Sequence, residues 1–305
     1  MIPVTRPAPL RVVIAFACIY LIWGSTYLAI RFAIETIPPF LMVGSRYLIA
    51  GALLTGWAVA RGEARRPTAR QAGAAALLGA LFFLAGNGGV VFAETRITSG
   101  LAALLVAAIP IWVALIDWLR PGGVRPTVAT VIGVLIGFSG VWLLIGAHGA
   151  WASERVDPVA AGVLLVTTFC WATGTVLIGR LPLVRSHVQS GGLQMLAGGA
   201  LLLGVGLGTG ELSRFRAAAV TLRSLLAEGY LIVAGSLVAF TAYTWLLRVT
   251  TPSRASTYAY VNPAIAVFLG WSLGGEPVGP RILVAGAVIT AGVALIITAR
   301  TLRRS

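Results

Sequence analysis

The chain alternates long apolar stretches with short polar connectors, and the apolar stretches have the length of membrane crossings. Ten of them run at about 12–32, 38–60, 71–94, 99–119, 127–146, 158–179, 188–208, 226–247, 255–273 and 281–299. A helix needs roughly 20 predominantly apolar residues to cross the hydrocarbon core of a bilayer. The stretches are too long for strands and lack period-two alternation, so the pattern predicts helices and not a barrel. The expected fold class is an all-α integral membrane protein with ten transmembrane helices.

The pattern also repeats. Shifted against itself, the chain brings Pro110 onto Pro263, Thr98 onto Thr251, Gly122 onto Gly275 and Gly133 onto Gly286, and further upstream Trp23 onto Trp171. Each copy holds five spans. An odd number forces the second copy to enter the bilayer the opposite way up, which predicts two inverted five-helix repeats. The expected division is a cytoplasmic N-terminal tail (1–11), a first repeat (12–146), an external linker (147–157), a second repeat (158–299) and a cytoplasmic C-terminal tail (300–305). Inverted repeats are a common way to build a transporter whose midplane site opens to either side.

Composition agrees with this division. The chain is 58% hydrophobic and 10% charged, with a mean hydropathy of +0.93, whereas a soluble domain carries about 25% charge. The net charge of +14 comes with 23 basic residues, all of them Arg. With both tails inside, Arg31, Arg96, Arg155, Arg214, Arg216, Arg223 and Arg281 fall outside and Arg46 falls within a span. The remaining 15 (23 less 7 less 1) lie on the cytoplasmic side, as the positive-inside rule expects. The charge is therefore read as topology, and no nucleic-acid partner is expected. The connector 209–225 fits least well, being external yet carrying three arginines; a short amphipathic surface helix or a missed boundary would account for it. Ala15-Phe16-Ala17 follows too short an apolar run after Arg11 to be a cleavage site. Cys18 and Cys170 lie singly inside apolar stretches, read as buried small hydrophobes, and no metal site or cofactor is expected. Trp57, Trp118, Trp151 and Trp271 fall near span ends, where an aromatic belt belongs. Trp23, Trp112 and Trp171 fall near span centres.

Ile22-Trp23-Gly24-Ser25-Thr26, followed by Pro38-Pro39 and Ser45-Arg46-Tyr47, resembles the drug/metabolite transporter superfamily, specifically a protein with two tandem EamA domains over about 14–146 and 160–299. Thr95-Arg96-Ile97-Thr98-Ser99-Gly100 leading to Pro110 supports it, with Val249-Thr250-Thr251 leading to Pro263 and Gly275-Glu276 as its echo. The resemblance implies a ten-helix inner-membrane carrier of bacteria, commonly an exporter of amino acids, metabolites or toxic compounds. One departure stands out. The family often places a Gly-Glu pair between the last two helices of each half, and the first half here has Pro121-Gly122-Gly123 instead.

Several residues are placed to carry transport. Trp23, Thr26, Tyr27 and Ile30 share one helical face of span 1, and Thr167, Cys170, Trp171 and Gly174 share one of span 6. The repeat relates the two tryptophans, so these faces should meet across a pseudo-twofold axis. An indole offers an apolar face, a cation–π surface and one donor. Ordinary helix packing is the alternative. Span 8 carries Ser236, Phe240, Tyr243 and Thr244 on one face, span 9 carries Tyr258 and Asn262, and span 3 carries Asn87 within Gly86-Asn87-Gly88-Gly89. A mid-membrane amide must find partners, on another helix or in a hydrated cavity.

Arg46 is the costliest residue, at about 2.5–3.5 kcal/mol on insertion scales for Arg at a helix centre. It either faces the cavity and attracts a substrate carboxylate or pairs with a backbone carbonyl, Glu94 or Glu35. Pro110 and Pro263 remove matching backbone donors and are expected to kink spans 4 and 9. Gly133 with Gly137, Gly204 with Gly208, and Gly286 with Thr290 permit close helix approach, which on spans 5 and 10 suits scaffold packing or a homodimer contact.

No acid lies near a span centre and His148 and His187 lie in connectors, so Glu94 is the one candidate for proton coupling and catalytic residues are not expected. The expected function is an alternating-access secondary transporter for small organic solutes such as amino acids or aromatic and drug-like compounds, without its own nucleotide-binding loop. A membrane-embedded enzyme and a non-transporting scaffold are the rivals.

Overall fold

A computed structural model describes residues 9–119, 125–146, 156–250, 255 and 257–302. Among these residues all regular structure is helical. The main elements are α1 (Pro9–Ala33), α2 (Pro39–Ala60), α3 (Ala69–Glu94), α4 (Ser99–Leu119), α5 (Val128–Gly146), α6 (Pro158–Leu177), α7 (His187–Gly208), α8 (Leu222–Val249), α9 (Tyr258–Gly274) and α10 (Pro280–Leu302). By length and composition, α1, α2, α3, α4, α6, α7 and α8 suffice to cross a membrane. Val128–Leu144, Val261–Gly274 and Pro280–Ile296 are shorter apolar stretches. Large apolar side chains such as Leu21, Leu53, Trp57, Trp142 and Trp271 stand exposed on the outer faces. An exposed apolar belt of this extent suits lipid and not water. Trp57, Trp118 and Trp271 lie on that surface; Trp151 lies outside the described residues.

Local chemistry sets the helix ends. Pro39 and Pro158 open α2 and α6, where a missing N–H costs nothing. Asp157 accepts from the backbone N–H of Val159 (2.7 Å) and Ala160 (3.2 Å). Thr68 and Gln71 form a reciprocal capping box before α3. Gly275, at φ +65°, turns the chain out of α9 in the left-handed region that favours glycine. Thr221 caps α8, which starts it at Leu222, earlier than the apolar pattern indicated. The connector before it also holds a short helix, Glu211–Arg214, so both accounts of its arginines apply. Arg223 sits in the first turn of α8, 3.5 Å from Glu35 and over the ring of Phe32.

Two spans are wound unevenly. α3 widens to π-helix over Ala80–Asn87 and α8 over Leu231–Ala239. In each, a polar side chain fills the widened turn: Asn87 Nδ2 donates to the Phe82 carbonyl (3.1 Å) and Ser236 Oγ to the Leu231 carbonyl (3.1 Å), both five residues back. Such insertions are frequent at functional sites. α4 breaks outright at Ala107–Ala108, between Val106 and Ile109. The break falls in the turn before Pro110, where its ring and missing N–H leave the Val106 carbonyl without its helical donor. Pro110 lies just inside the second half-helix, where its absent N–H is tolerated, and the break precedes it. Pro263 does lie inside a continuous α9.

The halves pack in matching pairs. α2 lies against α7 and α5 against α10, while α1 packs on α8 and α9 as α6 packs on α3 and α4. The α2–α7 seam is backbone on backbone. A Cβ at Gly51 would lie 2.8 Å from the Gly192 carbonyl oxygen, and one at Gly199 would lie 3.0 Å from that of Gly44. Gly133 and Gly137 meet Gly292 and Ile111 of the same chain, so their surface is used internally. Gly204 and Gly208 face open space and join no close approach.

Candidate functional site

The uneven winding of α3 and α8 and the break in α4 surround one central cavity. Its wall comprises Trp23, Thr26, Tyr27 and Ile30 of α1, Arg46 and Tyr47 of α2, Phe83, Gly86, Asn87 and Val90 of α3, Val106 and Ile109 of α4, Thr167 and Trp171 of α6, Gly235 and Phe240 of α8, and Tyr258 and Asn262 of α9. Nine of the ten residues expected to form such a wall are in it: Trp23, Thr26, Tyr27, Asn87, Thr167, Trp171, Phe240, Tyr258 and Asn262. Tyr243 lies just behind. It is fully buried, with its ring 5.0 Å from that of Trp23 and its hydroxyl 3.0 Å from Thr175 Oγ1.

The aromatic rings interlock. Trp23 and Trp171 meet edge to face at 5.8 Å, the two faces that the repeat relates. Tyr258 closes on Trp23 at 5.1 Å and Phe82 on Trp171 at 4.9 Å. Edge-to-face contacts of this kind add about 0.5–1.5 kcal/mol each beyond area burial. The space open to the centre of a water molecule is about 70 Å³, which holds a few waters at roughly 10–15 Å³ each. An organic solute needs the helices to part. Trp112 plays no part here: its indole donates to Thr168 Oγ1 (3.0 Å) and its ring packs on Phe138 and Phe169.

Arg46 is the one formally charged residue in the wall. It is 3% exposed, and its Nε donates to Ser236 Oγ (2.9 Å). Neither Glu94, Glu35 nor a backbone carbonyl pairs with it, which corrects that expectation. Glu35 lies with Arg223, and the π-turn of α8 brings Ser236 under the guanidinium instead. The nearby acid on α8 is Glu228, which accepts from Ser45 Oγ at 2.7 Å. Gly235 makes the room, since a Cβ there would lie 2.9 Å from Arg46 Nη2. Its carbonyl accepts from Trp23 Nε1 (3.3 Å).

Three donors in this wall remain without a partner of good geometry: Arg46 Nη1, Trp171 Nε1 and Tyr258 Oη, all buried. Asn87 donates within its own helix and not to another one, and it faces the cavity. Asn262, with its amide turned to donate, reaches the carbonyls of Tyr20 and Tyr258, each at 3.1 Å. Thr167 Oγ1 donates to the Ala85 carbonyl (2.8 Å) and stands where a Cβ on Gly89 would collide with it.

One turn beyond Tyr27 and Val90 lies a polar vestibule of about 530 Å³. Arg31, Glu35, Glu94, Arg96 and Glu276 line it. Glu276 accepts from the backbone N–H of Ser99 (2.9 Å) and Gly100 (3.1 Å) at the start of α4, and from Arg31 Nη1 (3.2 Å). Arg96 donates to Asp157 (3.0 Å). That bond and the two backbone amides hold the Asp157 carboxyl below its ordinary range. Sequence reasoning missed Tyr47, Phe83 and Gly235 as wall residues, and saw Glu276 only as part of a family Gly-Glu pair kept in one half. Among the described residues no group of three or more His, Cys, Asp or Glu could hold a metal ion.

Comparison with known proteins follows this geometry. The model of the EamA-like transporter family matches residues 10–146 and 159–298. An uncharacterized inner membrane transporter of Escherichia coli K12, YedA, is 36% identical over 283 residues, covering 92% of this chain and 89% of its own length. The S-adenosylmethionine/S-adenosylhomocysteine transporter of Chlamydia trachomatis is 24% identical, over 90% of this chain and 85% of its own. A solved crystal structure, 21% identical, shares the fold with a TM-score of 0.66 over 96% of this chain and 98% of its own.

Proposed function

Since the chain belongs to the EamA-like transporter family, we propose that it carries small organic solutes bearing an acceptor group, a carboxylate above all, through the central cavity by alternating access. The chain crosses the bacterial cytoplasmic membrane ten times with both tails inside. Its two inverted repeats, 12–146 and 158–299, rock about the shared cavity. Export is the favoured direction. The single observation that carries this reading is the donor set. Arg46 Nη1, Trp171 Nε1 and Tyr258 Oη are buried in one wall without a partner of good geometry; the last two reach Tyr243 and each other only in poorly aligned contacts. An unmade hydrogen bond at a buried group costs about 1–3 kcal/mol, more for a charged one. Helix packing alone gives no reason to keep three such costs in one place. A bound carboxylate accepts from all three, and the surrounding rings bury the rest of the solute. The wall offers no acid for an ammonium group, which would rest on the indole faces of Trp23 and Trp171.

The test is uptake into proteoliposomes over amino acids, aromatic carboxylates and cationic drugs, repeated with Trp23→Ala, Asn87→Ala and Arg46→Ala. Carboxylate solutes should move with the parent protein and lose at least about tenfold in rate with Arg46→Ala, the worth of roughly 1.4 kcal/mol. Normal transport by all three variants rejects the cavity. Preference for cations rejects the carboxylate, and a parent that moves no solute at all returns the scaffold reading.

A further inference from the structure

The outer vestibule holds a charge imbalance apart from the donor set of the central cavity. Of its five charged groups, four are matched. Arg96 donates to Asp157 and stacks on Phe92, Glu35 lies 3.5 Å from Arg223, and Arg31 joins Glu276. Glu276 further takes two backbone donors, so its carboxylate is met from three sides. Glu94 has none of this. It is 5% exposed, and neither carboxyl oxygen meets a hydrogen-bond partner.

Every element around Glu94 can be checked for a counter-charge. α1 offers Arg31, already engaged, and Tyr27 one turn deeper. The α9–α10 turn offers Glu276, of like charge. α2 offers Arg46 and Tyr47 at the cavity, where Arg46 is held by Ser236; at its start the nearest acid, Glu211, caps the helix through the Phe40 and Leu41 amides. The entrance to α6 offers Asp157, taken by Arg96. The start of α4 offers Ser99, whose backbone N–H goes to Glu276. One guanidinium therefore faces two carboxylates, and the one already held by backbone donors, Glu276, claims it.

An isolated ionised carboxylate in such a place is far costlier than a neutral acid. Position adds a second argument. Glu94 follows Val90 by one turn and Arg31 follows Tyr27 by one turn, so the acid sits in the layer between the central cavity and the vestibule. Anything that parts the helices there wets it.

We propose that Glu94 is a proton-binding site, loaded while this end of the cavity is closed and emptied when it opens. In the closed state the side chain is a neutral carboxylic acid beside the Arg31–Glu276 pair. On opening, water reaches it, the O–H bond breaks, the proton leaves to the vestibule and the carboxylate faces Arg31. Reclosing takes up one proton again. Transport is thereby coupled to the pH gradient. This coupling rests on the transport reading above; the protonation itself does not.

Infrared difference spectroscopy on the full chain in lipid nanodiscs at neutral pH reads the protonation without any solute. The parent should show a buried carboxylic-acid C=O band that Glu94→Gln removes and Glu35→Gln leaves in place. Should Glu94→Gln fail to fold, Glu94→Met supplies the same subtraction. A band unchanged by either substitution, or no such band, overturns the proposal. In proteoliposomes tested with phenylalanine and benzoate, one coupled proton converts each unit of pH gradient into about a tenfold solute gradient. The parent should show that dependence, and Glu94→Gln should equilibrate the same solute regardless of pH. A parent that transports identically with and without the gradient overturns the coupling even if the band is present. A parent that moves no solute defeats the transport reading, and the infrared band still decides the state of Glu94.

Discussion

Glu276→Ala should be among the most damaging single changes outside the cavity, and Arg31→Ala should be clearly milder. Glu276 is 4% exposed and receives three bonds, two from the backbone at the start of α4 and one from Arg31. Hydrogen bonds to a charged group contribute about 1.5–3 kcal/mol each, and orphaned backbone donors cost a similar amount. The Arg31 side chain is 37% exposed, so its own part is discounted toward the roughly 0–1 kcal/mol of a solvent-screened pair. The two backbone bonds then put Glu276→Ala at about 3–5 kcal/mol. Arg31→Ala leaves Glu276 with both amides and the positive end of α4, and should cost about 0–1 kcal/mol. At roughly 2–4 °C per kcal/mol, the melting temperature of the detergent-purified protein should fall by roughly 6–20 °C in the first variant and by no more than about 4 °C in the second. Glu276→Gln retains one acceptor and should fall between them. If Arg31→Ala matches or exceeds Glu276→Ala, the ion pair and not the helix cap holds this turn, and the reasoning fails.

Gly51→Leu and Gly199→Leu should each cost about 3 kcal/mol or more, because their Cβ atoms would press on partner backbone that cannot yield; Gly204→Leu, facing open space, should leave the unfolding midpoint close to the parent's. Gly235→Val should displace the Arg46 guanidinium and raise KM for carboxylate solutes about tenfold in proteoliposomes, without adding or removing a charge. Trp171→Phe keeps a ring but removes an unpartnered donor, so it should weaken solute binding several-fold with little loss of stability. Trp112→Phe should do the reverse, and the pair is read by comparing KM with melting temperature. Asp157 caps α6 with a carboxyl held below its ordinary range. Its contribution is complete above the unfolded value of about 3.9 and is lost as pH falls through the lower folded value. Hydrogen exchange at Val159 and Ala160 should therefore stay protected through the ordinary Asp range and accelerate only below it.

The repeat in the sequence carried real structural information at Trp23 and Trp171. Two residues related by the offset meet when they lie close to the axis that relates the halves, and these two meet at 5.8 Å. Face arguments worked on α1 and α6 because both wind regularly there. They worked less well on α3 and α8. A π-turn shifts every later residue around the helix, and composition gives only a weak sign of it in Gly86-Asn87-Gly88-Gly89 and Gly235-Ser236. That shift is why Ser236, and not an acid, came to hold Arg46. Pro110 was legible for the converse reason: a proline interrupts the ladder in the turn before it, and the helix breaks at Ala107–Ala108, directly after the carbonyl of Val106 that Pro110 leaves free. Helix starts were legible to within a few residues where Pro or Asp stood at them. The start of α8 was not, because its polar first turn hid the cap at Thr221.

A scaffold with matching halves carries polar groups that do not match, and that contrast bears on mechanism. The glycine seams are paired, Gly44 and Gly51 against Gly192 and Gly199, so rearranging one half against the other can preserve them. The charges are not paired. Arg46 corresponds by the repeat to Gln194, whose Oε1 is buried and unpartnered, and Asn87 corresponds to Ser236. Tyr27 at the vestibule end, next to the layer of Arg31, Glu94 and Glu276, corresponds to Thr175, whose hydroxyl meets that of Tyr243 in a neutral hydrogen bond. Two states related by a pseudo-twofold would be equal in energy if the residues obeyed it as the backbone does. The ionisable groups at one end and the single guanidinium in the wall remove that equality. In the alternating-access mechanism proposed above, the paired framework serves the exchange of the two open ends, and the unpaired polar residues set which end opens for which solute.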